Sequence, residues 1–234
     1  MLLSDFYQQT DGGLAITRQQ GSDFAKQIAR DFNPLHDVDN SRFCVPGDLL
    51  FALSLNQYGV SQSMTFDFKG MVGGDAEIEF SATENKIRVV DGQQKDYLLI
   101  SREGVIQKDP RFIEALTLSY VAFSGKTFPH ILVELMEQQG VMINPQKPMV
   151  IYDQMSLEFE RFVEGEPAVV LKSSEFEVTG KRGMVTMNFD IQVDAESIGS
   201  GEKQIIMSGL RPFERAGVDR LVEIYDERRL SYGA

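Results

Sequence analysis

Apolar residues change period several times along the chain, and the changes mark two similar runs of elements. Residues 14–20 read as a short strand. Ser22 stands where a helix N-cap belongs, with Asp23 in the first turn. Phe24, Ala25, Ile28 and Ala29 follow at helical spacing, and Pro34 disfavours continuing that helix past Phe32. Pro46 and Gly47 then open Asp48-Leu49-Leu50-Phe51-Ala52-Leu53-Ser54-Leu55. This helix is apolar nearly all round, which predicts burial, and Gly59 closes it. Period two takes over in 64–69 and 75–82. Residues 86–90 and 96–101 flank Asp91-Gly92-Gln93-Gln94, a hairpin-like turn. The pattern then restarts. Phe112, Leu116 and Tyr120 read as a helix, and Pro129–Met136 as a second buried helix ended by Gly140. Strands are predicted around 149–152, 155–163, 168–179, 183–193 and 203–210. Val218, Leu221, Val222 and Tyr225 have the spacing of an amphipathic C-terminal helix that covers one edge.

The restart is an internal repeat. Residues 64–75 lie over 155–166 without a gap, at an offset of 155 − 64 = 91 residues. Met, an apolar residue, an acid, Phe, Val, Gly and an acid recur in step. Each half reads as a buried helix followed by a run of antiparallel strands. Wrapping a curved sheet around an apolar helix is an economical way to bury it, so the expected class is α+β. The expected division is 1–108 and 109–234, a pseudo-dimer within one chain.

Composition narrows the chemistry. The chain has 234 residues, with 23 Lys and Arg against 35 Asp and Glu, a net charge of −12. Such acidity argues against a dedicated nucleic-acid binder, which needs a basic face, and against electrostatic hold on anionic membranes. One cysteine, Cys44, excludes an internal disulfide framework and paired-cysteine zinc sites. With only His36 and His130, a histidine-rich metal site is excluded as well. The start has no basic residue before Asp5, unlike a signal peptide. No apolar run approaches the roughly 20 residues that span a bilayer. The expected location is the cytoplasm.

The chemically suggestive segment is Ala29-Arg30-Asp31-Phe32-Asn33-Pro34-Leu35-His36. Asp31 and His36 flank a helix exit forced by Pro34, a turn that can aim both side chains into one cavity. A carboxylate beside an imidazole is a competent acid/base pair. Asn33 between them can fix the turn or the ring by hydrogen bonds to backbone groups. The plainer reading of the same residues is a capped helix end with a structural histidine. Pro46-Gly47-Asp48 opens the next helix, whose free N–H groups and positive dipole end suit an anion or oxyanion. Gly47 would let a substrate approach the backbone closely.

Asp31-Phe32-Asn33-Pro34-Leu35-His36 resembles the signature of the MaoC-like (R)-specific enoyl-CoA hydratases. Looser likeness runs over about residues 22–80, through Phe24-Ala25, Arg42-Phe43, Pro46-Gly47-Asp48-Leu49-Leu50 and Phe66 to Asp75. The resemblance implies a double hot-dog fold, each half a long helix wrapped by an antiparallel sheet. It implies that Asp31 and His36 activate a water for addition to a 2-enoyl thioester, with Asn33 beside them. The Gly47 N–H would hold the thioester oxygen, and Phe43, Pro46 and Arg42 would contribute to substrate binding. The substrate would be a CoA or acyl-carrier-protein thioester, with no metal and no redox cofactor. A monomeric pseudo-dimer or a homodimer would fit, with no nucleic-acid partner and no membrane span. Departures from the pattern are Arg30 where Gly is usual, Arg42 where a small residue is expected, and a shorter stretch from His36 to Gly47. The second half has no such motif. Three alternatives stay open: a non-catalytic acyl-thioester or lipid-binding protein, a hot-dog thioesterase, and a purely structural or regulatory partner protein that binds no acyl ligand. Cys44 reads as a small buried filler and His130 as a helix-start residue. Arg30, Arg42 and Lys69 are the candidate basic patch for CoA phosphates.

Overall fold

The computed structural model describes residues 3–232. A 3-10 turn at Leu3–Phe6 leads into β1 (Gln8–Thr10) and β2 (Gly13–Ala15). Then comes α1 (Arg18–Asp23), which continues as a π-helix over Phe24–Ala29. A 3-10 turn at Pro34–His36 is followed by α2 (Gly47–Tyr58) and strands β3 (Val60–Phe68), β4 (Glu77–Ala82), β5 (Lys86–Asp91) and β6 (Asp96–Gln107). The second half opens with α3 (Pro110–Gly125) and two short helices, α4 (Thr127–His130) and α5 (Leu132–Gln138). Strands β7 (Val141–Met142), β8 (Val150–Phe159), β9 (Ala168–Thr179), β10 (Arg182–Val193), β11 (Glu196–Ser208) and β12 (Arg211–Pro212) precede α6 (Arg215–Ser231).

Ten strands form one antiparallel sheet in the order β1-β2-β4-β5-β6-β3-β8-β11-β10-β9. The junction of the halves is β3 against β8, where Met64 pairs with Leu157, Thr65 with Ser156 and Phe66 with Met155. This register follows the sequence repeat. The repeat carries Met64 onto Met155 and Phe66 onto Leu157, so each pair maps onto the other and Thr65/Ser156 maps onto itself. A local two-fold axis therefore passes between Thr65 and Ser156, the isologous contact of a symmetric dimer built inside one chain.

The sheet wraps two helices, which gives the double hot-dog arrangement that the resemblance implies. α2 is buried from Asp48 to Leu55, and Phe51 meets Phe66 of the sheet at 5.2 Å and Tyr120 of α3 at 4.6 Å between ring centroids. α3 buries Phe112, Leu116, Tyr120 and Phe123. It is the long buried helix of the second half, in place of the expected Pro129–Met136. The expected segment is largely helical as well, but the residue before its proline is pushed out of the helical region, which separates it from α3. Phe128 is extended (φ −110°, ψ 135°) and the Phe128–Pro129 bond is cis. Helical geometry resumes after Phe128 and runs through Ile131 into α5, which buries Leu132, Leu135 and Met136. The N-cap of α1 is Thr17 rather than Ser22. The Thr17 hydroxyl accepts the Gln20 N–H at 3.1 Å while the Gln20 side chain accepts the Thr17 N–H at 3.1 Å, a reciprocal capping box. The expected strand at 14–20 is accordingly only β2. Among the described residues no helix is long and apolar enough to cross a membrane.

Candidate active site

The π-helix ends at Arg30, in left-handed conformation (φ 57°), and the Asp31 N–H returns to the Ala25 carbonyl at 2.8 Å. From there the chain makes two turns written by its polar side chains. Asp31 Oδ1 accepts the Asn33 N–H at 2.9 Å, and Asn33 Oδ1 accepts the Leu35 N–H at 3.1 Å, capping the 3-10 turn Pro34–His36. The result brings His36 Nε2 to 3.6 Å from Asp31 Oδ2. On its other side the His36 ring donates Nδ1–H to the Cys44 carbonyl at 2.8 Å, with the Cys44 sulfur 3.9 Å away. Burial disfavours charge on His36, but the Cys44 side chain, the Asp31 carboxylate and the Cys44 carbonyl outweigh it and hold the pKa up at about 9. At neutral pH the pair is an imidazolium beside a carboxylate.

Both side chains line a cavity of about 440 Å³. The start of α2 forms one wall through Pro46, Gly47 and Asp48. At Gly47 a Cβ would meet the Phe68 ring at 2.9 Å and Tyr152 at 3.2 Å, so only glycine fits under this stacked aromatic pair. The second half supplies the facing wall, including Ser124, Tyr152 and Lys203. Lys203 Nζ donates to Ser124 Oγ, and Ser124 Oγ donates to Asp48 Oδ2 at 2.6 Å. Lys203 also lies 4.3 Å over the Tyr152 ring, whose hydroxyl pairs with that of Tyr120. Lys203 is 3% exposed and Asp48 6%. Burial pushes the Asp48 carboxyl up, against the pull of Lys203 and Ser124. Burial pushes the Lys203 ammonium down, against the carboxylates of Asp48 and Asp31.

This second cluster escaped the sequence reading. Lys203 does leave a signal: it falls on the same strand parity as Ile205 and Met207, both buried. Ser124 leaves none beyond its place at the end of an apolar helix. Of the residues anticipated for the site, Asp31, Asn33, His36, Pro46 and Gly47 line the cavity. Arg42 and Phe43 are not brought into its lining. Arg42 is exposed and reaches Met149, and Phe43 packs under the Arg18 guanidinium, 5.3 Å from its ring centroid. Cys44 is buried, yet it lines the cavity and touches His36 rather than merely filling space. His130 is exposed at the end of a one-turn helix.

The family described as Protein of unknown function (DUF3581) matches residues 1–216. The chain belongs to that family. No curated protein matches this DUF3581 sequence. Among solved structures it is similar to a tesB protein of Mycobacterium avium subspecies paratuberculosis, at 10% identity and a TM-score of 0.43, over 72% of this chain and 89% of that one. An acyl-CoA thioesterase II from Mycobacterium marinum aligns at 10% identity and a TM-score of 0.40, over 72% and 90%. A MaoC-like dehydratase aligns at 8% identity and a TM-score of 0.40, over 87% and 99%. Likeness this distant assigns no activity to the DUF3581 chain.

In this DUF3581 protein α6 lies almost wholly beyond the matched residues and roofs the cavity with Leu221, Ile224, Tyr225 and Arg228. Tyr225 packs edge-on against Phe32 at 5.6 Å and Phe128 at 5.5 Å. Its hydroxyl reaches the carbonyls of Arg30 at 3.0 Å and Gly125 at 3.4 Å. Arg228 donates to Asp37 at 3.0 Å, which also pairs with the buried Lys26 at 2.8 Å.

Proposed function

We propose that this cavity adds water to 2-enoyl thioesters and, in reverse, dehydrates the 3-hydroxyacyl products. The observation that carries the reading is the Asp31–His36 pair, held in fixed geometry on a largely apolar cavity beside the opening turn of a buried helix. The resemblance of residues 31–36 to the MaoC-like signature supports it.

The His36 imidazolium facing Asp31 supports the following steps. The Asp31 carboxylate takes a proton from water as its oxygen bonds to C3. The C2=C3 π pair moves toward the thioester, and the oxygen takes up enolate charge. The Gly47 N–H, at the positive end of α2, stabilises that oxygen. The His36 imidazolium delivers its Nε2 proton to C2. Transfer of the proton from Asp31 back to His36 restores the resting pair. Water addition leaves the net oxidation state unchanged, so the steps call on side chains and backbone alone. A CoA or acyl-carrier-protein thioester is the substrate class, with Pro46 and Gly47 beside the reacting carbons.

The test is a panel of 2-enoyl-CoA thioesters, followed by loss of the conjugated enoyl absorbance. Wild type is expected to consume them, and Asp31→Ala or His36→Ala to lose roughly 10²–10⁴-fold in rate. No enoyl loss across the panel would overturn the reading. Acyl-CoA binding without turnover would make the protein a binding module instead.

A further inference from the structure

The charges on the cavity wall run against those of the chain. The chain carries −12, yet the lining holds four cationic side chains, His36, Lys69, Lys203 and Arg228, against two carboxylates, Asp31 and Asp48. Three of the four cations have a carboxylate of their own. His36 faces Asp31, Arg228 binds Asp37, and Lys69 lies 3.7 Å from Asp67. Lys203 is provided for differently. Its ammonium has three N–H donors, and among the described residues Ser124 Oγ alone accepts from it. Asp48 is reached only through that hydroxyl, which donates on to Oδ2. The Tyr152 ring, 4.3 Å from Nζ, offers a π face rather than an acceptor oxygen. A buried ammonium is costly unless its donors are taken up, and burial works against the Lys203 charge. Ser124 and Tyr152, the two groups it touches, line the cavity together with it, so the ammonium lies at the wall and not behind it. It also lies close to the proposed chemistry. Its charge is felt by Asp48, which follows Gly47, and by Asp31.

We infer that the substrate of this cavity is a short acyl thioester with a second carboxylate on its acyl group, and that Lys203 binds that carboxylate. The inference rests on the hydration reading and names its substrate class. With the thioester oxygen at the Gly47 N–H and C3 at Asp31 and His36, a carboxylate just beyond C3 takes the acceptor place at Lys203. It receives the N–H groups that Ser124 leaves over, in charge-assisted hydrogen bonds, and it offsets the surplus positive charge of the wall. A plain hydrocarbon tail would cover the same ammonium with methylene groups and leave those donors unpaired. A site built around a polar group rejects analogues that lack it for this reason. Lys203 sets specificity in this scheme and moves no proton of the reaction; both transfers stay with Asp31 and His36. Ser124 and Asp48 hold the ammonium in place.

Three thioesters test it. Pent-2-enedioyl-CoA carries the carboxylate, hex-2-enoyl-CoA is a neutral chain of similar length, and the methyl ester of the first removes the charge. Loss of enoyl absorbance is followed for each. Wild type is expected to favour the carboxylate by roughly 10–100-fold in kcat/KM, the range of a hydrogen bond to a charged group, and Lys203→Met to erase that preference. Saturated pentanedioyl-CoA and hexanoyl-CoA, compared by calorimetry, should show the same preference in Kd without any chemistry. Thermal melting checks that Lys203→Met is folded; if it is not, the wild-type comparison of the acid with its methyl ester carries the test. Hydration of hex-2-enoyl-CoA or the methyl ester as fast as that of the carboxylate overturns the inference and leaves the hydration reading standing. So does a preference that survives in Lys203→Met and disappears in Arg228→Gln. Tighter binding of pentanedioyl-CoA, lost in Lys203→Met, with no enoyl thioester consumed supports the carboxylate site and overturns the hydration. Failure to bind any of these thioesters overturns both.

Discussion

Replacing Asp31 by Asn keeps the shape of the turn, since an amide oxygen can still accept the Asn33 N–H, and removes the charge that faces His36 at 3.6 Å. In the native protein the His36 value rises from 6.5 to about 9. That rise corresponds to a preference for the imidazolium of about 3 kcal/mol. The unfolded chain releases the proton near 6.5 and the folded chain near 9. Between those values the folded state binds more protons, so stability must fall as pH rises. His36 therefore contributes in full below pH 6.5, and its share of about 3 kcal/mol is lost as pH climbs through about 9. Asp31→Asn should lower the folded midpoint and narrow that window, and Cys44→Ala should lower it as well. Imidazole resonances followed by NMR give the midpoint directly, and His130→Gln removes the only other histidine signal. Urea unfolding across the same pH range gives the matching loss of stability. Enoyl hydration should decline over the window too, as the imidazolium acid disappears. A His36 midpoint at or below 6.5, or one unmoved by Asp31→Asn, would refute the charge arrangement and the proton transfers built on it.

Gly125→Ala would place a Cβ 1.7 Å from the Ala29 carbonyl oxygen. It should cost about 1–3 kcal/mol in thermal or urea unfolding and displace Asp31, two residues on, with a loss of enoyl turnover. Asn33→Ala removes the cap on the Leu35 N–H. A loss of about 0.5–2 kcal/mol in stability is expected, and the His36 resonance should broaden as the turn loosens. Tyr225→Phe deletes the hydroxyl that binds Arg30 and Gly125. It should cost about 1 kcal/mol and speed amide exchange in α6 and the 30–36 turn relative to the central strands.

Local rules made much of this architecture legible. α2 could be read because Pro46 and Gly47 precede eight residues that are nearly all apolar, and β10 because Val185, Met187, Phe189, Ile191 and Val193 alternate with polar residues. The β3–β8 junction, which the sequence did not name, obeys the symmetry of the repeat. Errors came where two local signals compete. Ser22 and Thr17 both suit an N-cap, and only the reciprocal Gln20 contact decides between them. Pro129 does suit a helix start, after the extended Phe128, but the long buried helix of the second half lies before it in α3. In the candidate site, Asp31, Asn33 and His36 were visible because one short turn holds them. Asp48, Ser124 and Lys203 were not, because they lie in α2, α3 and β11 and meet only through the topology. Arg42 and Phe43 follow His36 closely in sequence, yet the chain between His36 and α2 turns them away from the cavity.

The Tyr225 hydroxyl bonds to a carbonyl 195 positions earlier in the chain and to another 100 positions earlier. A chain synthesised from its N-terminus exposes the Asp31 turn long before the helix that clamps it exists. Contacts of such separation can form only after the sheet has drawn both regions together, because loop closure disfavours them until then. The Asp31–His36 pair is thus among the first segments to be made and the last to be fastened. A partly synthesised or partly folded chain holds Asp31 and His36 without a roof, open to water from every side. The proposed hydration would therefore depend on α6 being docked, and any lesion that frees α6 should silence it while most of the sheet stays intact.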